Sequence, residues 1–177
     1  MTLFLLGLAI FFGPHFYSAL RSRDPDSDLR KRMGEGPYMG TYSLVSLLGF
    51  GLIIYGFGAS RGAGVLYTPP IWTQHLNLVL MIIALILLVA SQLPAGHIKK
   101  TMKHPMLVAV KVWAIGHLLA NGELNSVILF GSFLAFDVLD RIIVKKRDDN
   151  GKGPDREMNH VMDGVSVVVG LAVWAAL

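Results

Sequence analysis

The sequence predicts an all-α fold, a polytopic membrane helix bundle with six transmembrane helices in a single domain, residues 1–177. Of the residues, 53% are hydrophobic and 16% are charged, with a mean hydropathy of +0.54, whereas soluble domains are about a quarter charged. The apolar residues fall in blocks of about 16 to 21, the length at which a helix crosses a hydrocarbon core. The chain has no cysteine, which excludes a disulfide scaffold and a thiolate metal site.

The apolar blocks give six predicted spans, which are residues 2–20, 41–58, 75–93, 105–121, 124–144 and 160–177. Each is predicted to be helical because a backbone in lipid satisfies its hydrogen bonds internally. The first block lacks a preceding basic residue and a following small-residue cleavage site, which favours a span over a signal peptide. The loop 59–74 is also apolar, and we expect it at the membrane interface, with Tyr67 and Trp72 as belt residues.

The basic residues predict the orientation of these spans. The loops after the first, third and fifth spans, with Arg141 at the border of the last, hold 14 of the 16 Lys and Arg residues, while the opposite loops hold only Arg61. Basic loops stay cytoplasmic, so both termini are predicted to face outward. The net charge of +4 is attributed to these loops. We therefore expect the lipid bilayer, and no nucleic acid, as a partner.

Polar residues inside the spans are candidates for function, because they are costly in lipid. In the first span, His15 follows Gly13 and Pro14, and the proline frees the carbonyl of Ile10 and favours a kink. Two interpretations are open: the imidazole bonds a neighbouring carbonyl, or it serves as a ligand or catalytic group.

The fourth span places His117 and Asn121 on one helix face, because they are four residues apart. Gly116 and Ala120 keep the surface beside His117 low, and Trp113 lies mid-span, away from both interfaces. A low surface next to an aromatic ring suits a planar ligand. It also suits close helix packing, which is the more common reason for such a surface.

Two further features favour helix packing over ligand binding. Because a short turn joins the fourth and fifth spans, Lys111 and Asp137 differ in depth by only about 4–5 Å, and we predict a buried ion pair between them. The second span carries two glycine pairs spaced by seven, Gly49 with Gly56 and Gly51 with Gly58, which permit the close approach of a helix or of a flat cofactor. Asp163 is predicted to be a first-turn acid favoured by the dipole of the sixth helix.

The two mid-span histidines suggest a metal centre. Their estimated depths differ by about 8 Å in a core of about 30 Å, an offset that tilt and a kink could absorb. A structural zinc takes four protein ligands, whereas haem brings four nitrogens and needs one or two from the protein. His15 and His117 therefore suit haem better than zinc, with propionates toward Arg21 and Arg23 on the cytoplasmic side.

The motifs resemble a known family. His-Pro-Met-Leu at 104–107 and Val-Trp-Ala-Ile-Gly-His-Leu-Leu-Ala-Asn-Gly at 112–122, with Gly-Pro-His at 13–15, resemble the signature of NnrU proteins over essentially the whole chain. That family is associated with bacterial denitrification, near nitrite and nitric oxide reduction. The resemblance implies the bacterial inner membrane, both termini periplasmic, and a membrane reductase or a hydrophobic small molecule as a partner.

NnrU proteins are in turn similar to 15-cis-zeta-carotene isomerase, a membrane haem b enzyme. Its haem histidines match His15 and His117 here, which implies haem b as the cofactor and isomerase-like or redox chemistry. The isomerase carries a cysteine ligand where this chain has Ala114, which excludes a cysteine-based ligand switch. The predicted cofactor site comprises the iron ligands His15 and His117, with contacts from Asn121, Trp113, Arg21 and His104.

Within this site, Asn121 and the Ile10 carbonyl are the expected acceptors for the ring N–H groups. His104 is expected to cap the fourth span or meet a propionate. Two alternatives stay open. Lys103-His104-Pro105 resembles the Arg-His-Pro of isoprenylcysteine-type methyltransferases, which bind S-adenosylmethionine, with lysine in place of the arginine. The chain could also be a non-enzymatic partner of a membrane reductase.

Overall fold

The computed structural model describes residues 1–22, 24, 26–147 and 158–176. The described residues form eight α-helices and no strand. The helices are α1 Thr2–Leu20, α2 Leu29–Met33, α3 Glu35–Ala59, α4 Ile71–Gln92, α5 His97–Met102, α6 Pro105–Ala120, α7 Leu124–Arg147 and α8 Val161–Ala176. The all-helical prediction is confirmed for this part of the chain.

The long helices match the predicted spans, with earlier starts for two of them. Helix α3 begins at Glu35 rather than residue 41, directly after Gly34, whose φ of 84° lies in a region that favours glycine. Helix α4 begins at Ile71 rather than residue 75, with Pro70 as its N-cap. Trp72, predicted in the preceding loop, therefore lies in the first turn of α4 and is 63% exposed.

Among the described residues, three helices are long and apolar enough to cross a membrane, namely α1, α3 and α4. Helices α6 and α8 are apolar but have 16 residues each, about 24 Å at 1.5 Å per residue. Helix α7 has 24 residues, but Asp137, Asp140 and Arg141 lower its hydropathy. Large side chains on α3 face outward, with Leu44, Leu47 and Leu48 between 60% and 67% exposed, as lipid-facing residues are in a membrane helix protein.

The chain forms two compact units. The first comprises Met1–Gly64 and Glu123–Asn125, and its core is the contact of α1 with α3. A Cβ on Gly49 would lie 2.5 Å from the backbone nitrogen of Phe11, and one on Gly56 would lie 2.5 Å from that of Phe4. The two backbones thus touch along one glycine pair, as predicted. The other pair, Gly51 and Gly58, has nothing within 4 Å of an added Cβ.

The second unit comprises Val65–Gly122 and Ser126–Leu177, and within its described part α4 packs against both α6 and α8. Gly170 of α8 lies against the backbone of Ile86. The indole nitrogen of Trp174 donates to the Leu78 carbonyl at 3.1 Å, which adds a polar link between the same two helices.

The loop between α3 and α4 closes over the end of α6. The Leu66 amide donates to the Gly122 carbonyl at 2.8 Å, and the Tyr67 hydroxyl donates to the carbonyls of Asn121 and Leu118. Gly122 has no room for a side chain, because the Tyr67 carbonyl occupies that space. The loop therefore satisfies carbonyl groups that a helix end leaves free. Tyr67 is thus a residue that caps the end of α6.

Candidate functional site

His15 lies in α1 of the first unit, half-buried among aromatic rings. Its Nδ1 lies 2.6 Å from the carbonyl oxygen of Phe11. The imidazole stacks on the Phe11 ring with centroids 4.4 Å apart, and the Tyr42 ring lies at 5.2 Å. The expected carbonyl acceptor is present, but it belongs to Phe11 rather than Ile10, because the ring folds back along its own helical turn.

This hydrogen bond fixes the chemistry of the His15 ring. A carbonyl oxygen only accepts, so Nδ1 carries the hydrogen. In the neutral ring, Nε2 then keeps its lone pair. Metal-ligating histidines have this arrangement, in which one nitrogen donates to a carbonyl or carboxylate and the other faces the metal.

A largely apolar cavity of about 280 Å³ lies beside this turn of α1. Its lining includes Gly13, Pro14 and three tyrosines, Tyr17, Tyr38 and Tyr42. An added Cβ on Gly13 would meet nothing within 4 Å, so the open space expected next to His15 is present.

Arg21 lies at the end of α1, in an ion pair with Asp28. Their side chains are 10% and 2% exposed, and Asp28 also caps α2 by accepting from the Arg30 amide at 3.0 Å. The hydrogen bond from Arg21 is the main reason that the pKa of Asp28 lies below its ordinary value. Arg21 thus already has an acidic partner within the protein, and Arg23 lies outside the described residues.

His117 lies in the last turn of α6 in the second unit, inside an aromatic cluster. Its ring stacks on Phe130 of α7, with centroids 4.4 Å apart and an angle of 5°. Trp113 lies edge-on at 5.6 Å and also contacts Phe130 and Phe133. The sequence interpretation missed the two phenylalanines. The depth comparison across the short turn that paired Lys111 with Asp137 would also have placed Phe130 near His117.

Asn121 is the C-cap residue of α6, one turn beyond His117 as predicted. Its amide nitrogen donates to the His117 carbonyl at 2.9 Å and lies 3.5 Å from Nδ1 of that ring. The amide NH₂ group, rather than the expected acceptor oxygen, therefore faces the imidazole. A contact of 3.5 Å is too long to fix which ring nitrogen carries the hydrogen.

The low surface beside His117 is used for helix packing. An added Cβ on Gly116 would lie 2.5 Å from the side-chain oxygen of Asn77 on α4 and 3.3 Å from Leu80 Cβ. Ala114 is fully buried. The packing interpretation therefore accounts for these small residues.

Residues 3–177 match the family described as NnrU protein. The chain belongs to the NnrU family. No curated protein and no solved structure matches it.

The Lys103-His104-Pro105 motif of this NnrU protein forms the start of α6. His104 is the N-cap residue and Pro105 the first helical residue, and the His104 side chain makes no capping hydrogen bond. Lys103 has a φ of 57°, which is uncommon for a residue with a side chain. The predicted cap position of His104 is confirmed, although its side chain does not act as the cap.

The predicted ion pair of α6 and α7 is confirmed. The Lys111 ammonium lies 3.3 Å from an Asp137 carboxylate oxygen, with side chains 33% and 1% exposed. Among the described residues of this NnrU protein, no group of three or more His, Cys, Asp or Glu side chains is placed to hold a metal ion. The Lys111–Asp137 pair links α6 to α7.

Proposed function

We propose that this NnrU protein binds haem b in the membrane, with His15 and His117 as the imidazole ligands of the iron. Membership of the family and the similarity of that family to a haem b isomerase support the proposal. The observation that carries it is the Nδ1 hydrogen bond of His15 to the Phe11 carbonyl at 2.6 Å, because a bond from one ring nitrogen to a carbonyl is the arrangement that orients metal-ligating histidines.

The donor chemistry also favours a macrocyclic cofactor. A structural zinc ion takes four protein ligands, more than the two histidines supply. Haem needs only one or two protein ligands. When bound, its iron would supply one-electron chemistry and binding of small ligands to the metal.

The surroundings of each histidine suit a porphyrin. Phe11 and Tyr42 flank His15, and Phe130 and Trp113 flank His117. Aromatic rings exclude water from the space around each imidazole and restrict the orientation of its ring. Arg21 would contact a propionate only by sharing its guanidinium with Asp28.

Purified protein from haem-sufficient cells tests the proposal. We expect a six-coordinate low-spin spectrum in the wild type, and lower haem content or a five-coordinate spectrum in His15→Gly and His117→Gly. Added imidazole should restore the wild-type spectrum in each variant, since it replaces the missing ligand without refolding the protein. The matched control is His75→Gly, because His75 is an exposed histidine of α4.

Colourless wild-type protein, or an unchanged spectrum in the double variant, would overturn the haem proposal. S-adenosylmethionine binding would then be the next measurement. The left-handed backbone of Lys103 beside His104 favours that second candidate, because such backbone strain is found at functional sites.

We further propose six spans in the bacterial inner membrane, with both termini periplasmic. The reaction would be redox or isomerase-like chemistry linked to nitrite or nitric oxide reduction.

The basic loops support the proposed orientation. A reporter active only in the periplasm should give signal when fused after Leu177 and none when inserted at Asn150. The reverse pattern would contradict the orientation.

A further inference from the structure

Two exposed histidines meet on the surface of the second unit, away from the spans' interior. His97 is the first residue of α5, and His160 directly precedes α8. Their ring centroids lie 5.0 Å apart, with the planes inclined at 48°. The two residues are 63 positions apart in the sequence, and no local pattern gives a reason for them to be neighbours.

A set of hydrogen bonds holds the two backbones together. The Asp163 carboxylate of α8 accepts from the amides of His97 at 2.7 Å and Ile98 at 3.0 Å. The Asn159 amide donates to the Ala95 carbonyl at 2.8 Å. These bonds fix the chain on both sides of the histidines, so that the two rings meet without further ordering of the backbone.

The residue before His97 is glycine for a steric reason. The Asp163 carboxylate occupies the space that a Cβ on Gly96 would take. The sequence predicted only that Asp163 complements the dipole of its own helix. In the structure its carboxylate also accepts hydrogen bonds from the first amides of α5. The nearby Lys99 ammonium donates to the carbonyls of Ser91 and Leu93.

We propose that His97 and His160 form a surface site for a divalent transition-metal ion of the imidazole-binding class, Zn²⁺, Cu²⁺ or Ni²⁺. Metal–nitrogen bonds of about 2.0–2.1 Å place two imidazole nitrogens on one ion within about 4 Å of each other. Rings with centroids 5.0 Å apart are within range of such a shared ion. Water completes the coordination, and the site is independent of the proposed haem.

The charges around the pair suit a cation. The Asp163 carboxylate contacts the backbone of His97 and partly offsets the added positive charge. Metal binding competes with protonation of the imidazoles, so the affinity should fall as the pH is lowered. The order within the metal class follows the general preference of nitrogen ligands, with Cu²⁺ bound more tightly than Ni²⁺ or Zn²⁺.

Titration of tag-free protein in detergent with ZnCl₂ alone, followed by calorimetry, tests this site. We expect one ion per chain. His97→Ala and His160→Ala should each lower the affinity by about tenfold or more, because even the loss of an outer-shell partner lowers metal affinity by that much. His75→Ala is the matched control and should bind as the wild type does. With Cu²⁺, electron paramagnetic resonance should show nitrogen coupling that His97→Ala reduces.

Two results would overturn the site: no saturable binding of Zn²⁺ or Cu²⁺ to the wild type, or unchanged binding in the His97→Ala/His160→Ala double variant. Equal thermal unfolding of variant and wild type shows that a loss of binding is not a loss of fold. The visible haem spectrum is recorded on the same samples. A failure of the metal site and a failure of the haem proposal therefore give different results.

Discussion

The two compact units hold their helices together in different ways. In the first, α1 and α3 touch backbone to backbone at Gly49 and Gly56. A Cβ atom added to either glycine would lie 2.5 Å from a backbone nitrogen of α1. In the second, α6 and α7 are linked by the Lys111–Asp137 ion pair at 3.3 Å, and Trp174 links α8 to a carbonyl of α4. Apolar side chains gain little by leaving lipid for another helix. Close packing of small residues and polar links are therefore the two available sources of specificity.

This contrast predicts different sensitivities in the two units. The stability of the first unit should fall when a substitution adds volume at the contact of α1 with α3, and should change little when charge within these helices is altered. The second should respond to the loss of single polar partners. The three changes that follow test this difference, from the largest expected effect to the smallest.

Lys111→Met should be the most damaging change. It leaves the Asp137 carboxylate, 1% exposed, without its partner, and breaking a buried pair in this way costs about 3–5 kcal/mol. Asp137→Leu should cost less, because Lys111 is 33% exposed and its long side chain can reach water. Denaturant titration in mixed micelles measures both.

The double variant Lys111→Met/Asp137→Leu is the control for this pair. It removes both charges and should be milder than Lys111→Met alone. If the double variant is as unstable as the worse single variant, the ion pair does not explain why these charges are present.

Gly49→Ala and Gly56→Ala should each destabilise the first unit by about 1–3 kcal/mol, as overpacking of a tight contact does. The added methyl group would meet backbone atoms of Phe11 or Phe4, which cannot move aside without separating the helices. Thermal unfolding in detergent measures the effect.

Gly51→Ala and Gly58→Ala are the matched controls on the same helix. Neither added Cβ has a neighbour within 4 Å. Alanine also favours a helix over glycine by about 1 kcal/mol, so both variants should be at least as stable as the wild type. Equal destabilisation at all four glycines would mean that α3 uses both faces for close contacts.

The smallest expected effect is the pH dependence of the Arg21–Asp28 pair. The pKa of Asp28 is lowered, chiefly by the hydrogen bond from Arg21. A lowered folded-state pKa means that the stabilisation is complete above the unfolded-state value, about 3.9, and is lost as the pH falls through the folded-state value. In Asp28→Asn, the fall in stability that accompanies protonation of Asp28 at low pH should be absent. An identical pH profile in wild type and variant would contradict the role of the pair.

Much of the molecule followed from local sequence. In the part of the chain that the structure describes, each of the six apolar blocks lies largely within a helix, because block length and backbone satisfaction in lipid act within a segment. The Lys111–Asp137 pair was found from sequence because a short turn fixes the antiparallel order of α6 and α7. The helix starts at Glu35 and Ile71 were not predicted. The N-cap residues Gly34 and Pro70 set these starts, and both lie before the first residue of the apolar block.

The candidate site was predicted only in part. The local fact that His15 bonds a carbonyl of its own helix was anticipated, though at Phe11 rather than Ile10. The stacking of Phe130 on His117 was not anticipated, since it depends on which faces of α6 and α7 meet. The orientation of the Asn121 side-chain amide was also not predicted, because its NH₂ group donates to the His117 carbonyl near the helix end and so turns toward the imidazole.

By itself, the sequence determined the helical class and the position of the apolar segments, because length and periodicity are properties of a segment. Only the tertiary structure decided which of two equally spaced glycine pairs is packed, and that Asp163 caps α5 rather than only its own helix. It also decided that His97 and His160, 63 residues apart, are neighbours. These outcomes depend on the register and rotation of one helix against another, which long-range contacts fix and the local pattern leaves free.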